Sequence, residues 1–125
     1  MEQPEGQLTL QMVAMPTNTN PAGDIFGGWL LSQMDLAGGI FCRSIAKGRV
    51  VTVAINSTQF KLPVLVGDTV SCYVSMEKMG RTSMKVHIEA WVNREFDETK
   101  KVKVTEGSYT FVKVNSERVP TAIEN

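Results

Sequence analysis

The chain has 125 residues, 42% of them hydrophobic, and this length and composition predict one globular domain with its own core. Its 13 lysines and arginines balance 13 aspartates and glutamates, and the sequence shows no basic stripe of the kind that nucleic-acid binding requires. The polar, acidic start of the chain lacks a secretory signal, and the longest apolar stretch is interrupted by Gln33, Asp35 and Arg43. We therefore expect a soluble cytoplasmic protein without a nucleic-acid or membrane partner.

The first part of the chain predicts a strand, a loop and a long helix. Gln7 to Met15 reads as a short strand that Pro16 ends, and a loop rich in turn-forming residues follows. From about Gly27 to Ala46 the composition favours one helix, which is apolar on nearly every side and is therefore expected to be buried. Gly38 and Gly39 each cost such a helix about 1 kcal/mol relative to alanine, so they predict the close approach of another backbone.

After a helix stop at Lys47 and Gly48, the apolar period changes from helical to alternating. Strands are predicted at about 50–57, 68–79, 84–92 and 102–114, with a possible bulge at Gly107. We expect a charged loop at 93–99 and a loose polar tail from residue 115. This order predicts an α+β fold in which one curved antiparallel sheet packs on one long helix. Because such a sheet leaves its edges exposed, we also expect a dimer or a higher oligomer.

Asp35 is the residue that most needs an explanation. It lies near the middle of the predicted helix among apolar neighbours, where an ionised carboxylate is costly to bury unless it has partners. A partly desolvated carboxylate is a stronger base toward water, or a stronger nucleophile, than a hydrated one. The alternative is a structural role, in which Asp35 bonds a backbone group or marks a wet face of the helix.

Gly27 and Gly28 open the same helix and predict a site for an oxygen anion. Free amides at a helix start carry the positive end of the helix dipole, and glycine lets a ligand oxygen come close. The alternative is a tight turn from loop to helix. Asp24, just before the helix, is either a helix cap or turn residue, or a second polar group over the reacting atoms.

Other candidate residues are fewer and weaker. Arg81, Thr82 and Ser83 form either an ordinary hairpin turn or a contact to a phosphate-bearing ligand. His87 is the single histidine, and its alternation places it on a polar strand face, so neither a Ser-His-Asp triad nor a zinc site is supported. The two cysteines lie in apolar surroundings and are interpreted as buried free thiols of a reducing compartment.

One run of the sequence resembles a known family. Residues 20–35, which read NPAGDIFGGWLLSQMD, resemble the signature of hotdog-fold acyl-CoA thioesterases of the YciA type. The segment 48–53, Phe60, the stretch 63–68 and the turn 80–83 are similar to the same family, so the resemblance runs from about Leu8 to Val114.

The resemblance implies a hotdog fold over residues 1–125, that is, a central helix wrapped by an antiparallel sheet. It implies dimers joined edge to edge, a trimer of dimers, and hydrolysis of acyl-CoA at the dimer interface without metal or cofactor. By position, Asp35 matches the catalytic acid and Asp24 the acidic or amide position ahead of the helix. The matching substrate contacts are Gly27, Gly28, Asn20, Phe60, Arg81, Thr82 and Ser83, the last three at the CoA nucleotide.

Two alternatives stay open. Asp35 either activates a water molecule or attacks the thioester directly to give a mixed anhydride. A non-catalytic module that binds or senses acyl-CoA on the same fold is the rival function, and the presence of Asp35 argues against it. A dehydratase is less favoured, because Phe26 stands where such enzymes carry a histidine.

Overall fold

The computed structural model describes residues 2–94 and 99–124. The predicted charged loop at 93–99 therefore lies largely outside the described residues. The other predicted elements are all present, and a short 3-10 helix at Pro16–Asn18 follows the first strand. The elements in chain order are β1 (Gln7–Val13), α1 (Gly27–Ala46), β2 (Val50–Phe60), β3 (Thr69–Met79), β4 (Ser83–Asn93) and β5 (Lys101–Lys113).

The strands form one five-stranded sheet in the order β1-β3-β4-β5-β2, and each neighbouring pair is antiparallel. The first strand and the strand after the helix are therefore the two edges. The sheet is irregular on the β2 side, where the register between β2 and β5 shifts twice. The second shift lies opposite Gly107, where a side chain would clash with Thr58, so the bulge predicted at Gly107 belongs to the facing strand.

The helix packs on the inner face of the sheet, and its glycines decide how closely. A β-carbon at Gly38 would lie 2.6 Å from the Phe111 ring and 2.8 Å from Ile88, so only glycine fits there. At Gly39 the nearest atom would be 3.9 Å away, on the same ring. The prediction that another backbone approaches these glycines was wrong, because their neighbour is an aromatic side chain that fills the space under the helix.

One side of the helix is not buried, contrary to the sequence prediction. Leu36 is 55% exposed and Ile40 is also exposed, although both are large apolar residues. On the neighbouring edge strand β2, Val53 and Ile55 are exposed as well. An apolar helix face beside an apolar free edge is a surface that a single chain leaves uncovered.

The ends of the elements also differ from expectation. The helix stops where predicted, but the left-handed residue is Lys47, with φ of 55°, rather than Gly48. The tail is not loose. The Thr121 amide bonds the Lys113 carbonyl, the Ile123 amide bonds the Arg81 carbonyl, and the Ile123 side chain packs on the core. Among the described residues, no helix is long and apolar enough to cross a membrane.

Candidate functional site

Asp35 lies half-buried on α1 at the junction between the helix and β2. Its Oδ1 accepts a hydrogen bond of 2.6 Å from the Thr52 hydroxyl. Beside this pair is an open cleft of about 320 Å³, whose apolar walls include Leu36, Ile40 and Phe111. The carboxylate is therefore oriented by one hydroxyl and lies beside a cleft that has both apolar and basic lining residues.

Two neighbours of Asp35 were not singled out from the sequence. Thr52 is an exposed residue of β2 whose hydroxyl faces the helix, and Tyr109 is buried on β5 with its hydroxyl donating to the Leu31 carbonyl at 3.3 Å. Burial, together with the negative charge of Asp35, raises the pKa of Tyr109, so this phenol stays protonated near the carboxylate. The strand alternation would have placed both residues on the inner face, but not beside a particular helix residue.

A second cleft, of about 350 Å³, lies at the start of the helix. Asn20, Asp24, Gly27 and Phe60 all line it, together with Lys61 and the apolar residues that follow it. The structure thus brings together four of the residues predicted to act or bind. The Phe60 ring lies against Gly27, where a β-carbon would be 3.3 Å from it.

The start of the helix leaves two amides available. Phe26 is the cap residue and its side chain offers no hydrogen-bond acceptor, while the first amides of any helix lack an intrahelical acceptor. Within residues 2–94 and 99–124, no side chain or loop carbonyl accepts from the Gly27 or Gly28 amide. These N–H groups and the helix dipole together suit an oxygen that gains negative charge.

The loop before the helix is held by Asn20. Its side-chain oxygen accepts hydrogen bonds from the backbone amides of Ala22 at 2.9 Å and Asp24 at 3.1 Å. The backbone amide of Asn20 in turn donates to the backbone carbonyl of Asp24. Asp24 is consequently a turn residue and not the helix cap, and its exposed side chain stands at the rim of the second cleft. Asn20 therefore fixes the position of Asp24 through the backbone.

The turn at 80–83 lies outside both clefts. The Gly80 amide donates to the Ser83 carbonyl, and the folded-back tail bonds the Arg81 carbonyl through Ile123. The Thr82 carbonyl accepts from the Lys113 amide, so the turn is fixed by its neighbours. Arg81, Thr82 and Ser83 do not meet the other predicted site residues within one chain.

The two clefts are also separate from each other within one chain. Gly28 and Asp35 are seven residues apart on the same helix, which corresponds to about 10 Å along its axis. A single carbonyl group cannot contact amides and carboxylate across that distance. Within one chain, the Asp35 carboxylate and the helix-start amides therefore lie at two separate clefts.

A charged cluster covers the outer face of the sheet, and sequence reasoning did not identify it. We call Glu77, His87, Glu89, Lys103 and Glu106 the outer-face cluster. His87 Nε2 lies 3.0 Å from Glu89 and 3.4 Å from Glu106, and Lys103 Nζ lies 3.2 Å from Glu106. The buried Trp91 indole donates to Glu89 at 2.8 Å. Alternation predicted a polar strand face, but not that its charges would pair with one another.

The charges of the outer-face cluster support each other. Burial alone would raise the pKa of Glu89, but hydrogen bonds from Trp91, the Glu5 amide and His87, with the charge of Lys103, lower it overall. The hydrogen bond from Lys61 is the main reason that the pKa of Glu106 is lowered. Burial opposes the charge of Lys103, yet its bonds to Glu2 and Glu106 raise its pKa.

Among the described residues, the one group of possible metal ligands is already paired with a cation, and the two thiols are buried. Ligand atoms of Glu5, His87 and Glu89 lie within 4.8 Å of one another, but the Lys103 ammonium already stands 3.8 Å from Glu89 as their cation. Cys42 and Cys72 are free and buried, and burial raises the pKa of each thiol to about 12. Such thiols stay protonated near neutral pH and are poor nucleophiles.

The chain is similar to known proteins in both sequence and fold. Residues 22–95, which include Asp24, α1 and β2, match the family model described as "Thioesterase superfamily". The chain is 46% identical to the acyl-CoA thioester hydrolase YciA of Escherichia coli strain K12, over 96% of this chain and 92% of that protein. It is also similar to the hexameric thioesterase y2039 from Yersinia pestis, with a TM-score of 0.91 and 43% identity over 99% of this chain and 100% of that one. A hexameric hotdog fold thioesterase of Campylobacter jejuni, Cj0915, aligns with a TM-score of 0.89 and 42% identity, over 95% and 91% of the two chains.

Proposed function

This chain belongs to the thioesterase superfamily, and from that premise we propose that it hydrolyses acyl-CoA to a free carboxylic acid and CoA. The family, the hotdog fold and the enzyme class expected from the sequence are confirmed. We further propose that residues 1–125 form one hydrolase domain. The assignment rests above all on Asp35, a half-buried carboxylate held by Thr52 beside an apolar cleft.

The Asp35 carboxylate is the catalytic group in this proposal, either as a general base or as a nucleophile. In one route it takes a proton from water while the hydroxide adds to the thioester carbonyl, and the tetrahedral intermediate then expels the CoA thiolate. In the other route the carboxylate itself adds to the carbonyl and expels the thiolate, and water then hydrolyses the resulting anhydride. In both routes the thiolate ends as the CoA thiol and the acyl group as a carboxylic acid. The hydrogen bond from Thr52 orients the carboxylate in either case.

The amides of Gly27 and Gly28 stabilise the oxygen anion that forms during attack. They stand at the positive end of a 20-residue helix, and no described side chain or loop carbonyl occupies them. Hydrogen-bond donors that are already in place where negative charge develops are among the largest contributions to enzymatic rates. A carbonyl in the cleft at the helix start would be polarised by these amides.

We propose that the two halves of the site are joined by a second copy of the chain. The free edge of β2 and the exposed apolar face of α1 lie side by side, so two chains can pair their β2 strands edge to edge. In such a twofold arrangement, the helix start of one chain lies near Asp35 of the other. The similar proteins from Yersinia pestis and Campylobacter jejuni are hexameric, which is consistent with three such dimers in one assembly.

The remaining predicted residues take supporting roles. Asp24 stands at the rim of the helix-start cleft, where it can hold water or the scissile group, and Asn20 fixes its position. Phe60 supplies an apolar wall next to Gly27. Arg81, Thr82 and Ser83 contact the CoA nucleotide of a substrate bound to a neighbouring chain of the assembly. We place the protein in the cytoplasm, where its two free thiols fit a reducing compartment.

The decisive test is the replacement of Asp35 by asparagine, which keeps the size of the side chain and removes its charge. Removing a residue that acts on the reacting atoms should lower kcat by about a thousandfold or more, with the fold and the assembly intact. The assay is thiol release from a series of acyl-CoAs, together with calorimetric binding of CoA. Glu77→Gln, the same change on the outer face, is the matched control and should keep full activity.

Two outcomes would reject the assignment. Turnover by Asp35→Asn close to that of the unchanged protein would remove Asp35 from the chemistry. If the unchanged protein binds acyl-CoA but releases no thiol from any of the substrates, it is a binding or sensing module instead.

A further inference from the structure

The far end of the Asp35 cleft is cationic. Arg43, in the last turn of α1, and Arg49, just before β2, line the same cleft as Asp35. Lys47, which lies between them in the sequence, is the C-terminal cap of the helix. The Lys113 side chain lies across Gly48, where a β-carbon would be 3.1 Å from Lys113 Cε. Three separate segments thus bring positive charge to one place.

These cations lack the partners that other basic residues have. Among residues 2–94 and 99–124, no carboxylate forms an ion pair with Arg43, Lys47, Arg49 or Lys113. Elsewhere in the described part of the chain, by contrast, Lys61, Lys85 and Lys103 each pair with a glutamate. The chain has equal numbers of acidic and basic residues, so the unpaired cations reflect their placement and not an excess of positive charge.

The negative end of the helix dipole explains only part of this arrangement. A basic residue in the last turn of a helix is favourable, which accounts for Arg43. It does not account for Arg49, which lies outside the helix and also turns to the cleft. Arginine is the side chain best suited to bind phosphate or carboxylate through paired hydrogen bonds.

The cleft connects this cationic end to the proposed reactive carboxylate. Between Asp35 and the arginines its lining is apolar or lacks a side chain, with Gly39, Ile40 and Phe111 as the walls. Asp35 and Arg43 are eight residues apart on one helix, which is about 12 Å along the axis. A substrate with its thioester at Asp35 could therefore place a remote anionic group between the arginines.

We propose that Arg43 and Arg49 form an anion subsite that binds a phosphate or carboxylate group of the substrate while the thioester lies at Asp35. The inference rests on the proposed thioesterase function and adds to it a contact that selects substrates by charge. Two parts of a substrate could supply the anion. One is a phosphate of CoA, beyond the pantetheine arm, and the other is a terminal carboxylate on the acyl group.

The test compares the double variant Arg43→Met, Arg49→Met with the unchanged protein on three substrates. These are an acyl-CoA, the same acyl group on pantetheine, which lacks every phosphate, and an acyl-pantetheine with a terminal carboxylate. Lys78→Met removes another exposed cation, on β3, and serves as the control with no expected effect. Light scattering and thermal unfolding check that assembly and fold are retained.

If the anion is a phosphate, the double variant raises the KM for acyl-CoA by about tenfold, as expected for the loss of charge-assisted hydrogen bonds, and leaves kcat and the pantetheine substrates unchanged. If it is a carboxylate, the unchanged protein prefers the carboxylated acyl-pantetheine, and the variant loses that preference. The subsite is overturned if the KM values of the double variant stay within about twofold of those of the unchanged protein for all three substrates. It is also overturned if the main effect of the double variant is a change of assembly.

The failure of the subsite can be told from the failure of the proposed function. If the unchanged protein releases no thiol from any substrate, the thioesterase function fails. Calorimetric titration with CoA and with the carboxylated pantetheine still reports on the subsite in that case. Equal affinity of the double variant and the unchanged protein for both ligands would then reject the subsite by itself.

Discussion

The two faces of the sheet differ in whether their charged side chains find partners within the same chain. On the outer face, Glu89 is a charged residue whose side chain is only 5% exposed, and it is surrounded by donors from the same chain. On the helix side, next to β2, apolar side chains and arginines remain exposed without such partners among the described residues. This chain therefore pairs the charges of its outer face by itself. The β2 side keeps apolar side chains and arginines exposed, as the proposed contacts with a second chain and a substrate require.

The outer face is completed by its N-terminal segment. The Glu5 amide donates to Glu89, Glu2 reaches Lys103, and Gly6 adopts a φ of 105° where a side chain would clash with the Val74 carbonyl. None of these residues lines the Asp35 cleft or the helix-start cleft, so we expect the contacts to affect stability. The contacts around β2 should instead affect assembly and activity, and three predictions separate the two kinds of effect.

The largest effect is expected at the free edge of β2. In Ile55→Lys, a charged side chain on an exposed edge should block strand pairing between chains and leave monomers. Because both halves of the proposed site would then be separated, activity should fall by about a hundredfold or more. Light scattering and thiol release measure the two quantities on the same sample.

Leu8→Lys provides the matched change on the opposite edge, since Leu8 is an exposed leucine of β1. It should leave strand pairing through β2 and the activity in place. A fully active monomer of Ile55→Lys would contradict the shared site while leaving the role of Asp35 unaffected.

A smaller effect, on stability alone, is expected for Glu89→Ala. This change leaves the buried Trp91 indole without its acceptor and Lys103 with one carboxylate fewer, which should lower the free energy of unfolding by about 3 kcal/mol. Chemical denaturation measures the loss. The more exposed neighbour Glu77→Ala should cost less than about 1 kcal/mol, and equal losses in the two variants would show that burial does not set the energy of this cluster.

The smallest effect is the dependence of stability on pH. The pKa values of Glu89 and Glu106 are lowered in the folded state, so their contribution is complete above the ordinary value near 4.5 and is lost as the pH falls through the lowered values. We expect a decrease on the order of 1 kcal/mol in this acidic range. Glu89→Gln should have a flatter profile in thermal unfolding between neutral and acidic pH. A profile as steep as that of the unchanged protein would assign the acid sensitivity to other carboxylates.

Local sequence features determined most of the fold. Composition and the absence of proline predicted α1 at its observed bounds, Gly27–Ala46, and alternation predicted the strands that follow it. The helix-start cleft could also be anticipated, because Asn20, Asp24 and Gly27 are close together in the chain. Such features depend on the backbone preferences of neighbouring residues, which a sequence displays directly.

Contacts between distant residues were decided only by the tertiary structure. The pairing of Thr52 with Asp35 joins residues from a strand and a helix, and its formation depends on the register of β2 against β5 and on how the helix packs on the sheet. The ring of Phe111 beneath Gly38, the charge pairs of the outer-face cluster and the approach of Arg43 and Arg49 to one cleft have the same origin. The sequence by itself identified Asp35 as a carboxylate that needed partners. Which partners it obtained was set by packing, because a residue's neighbours across a sheet depend on strand order and register rather than on distance along the chain.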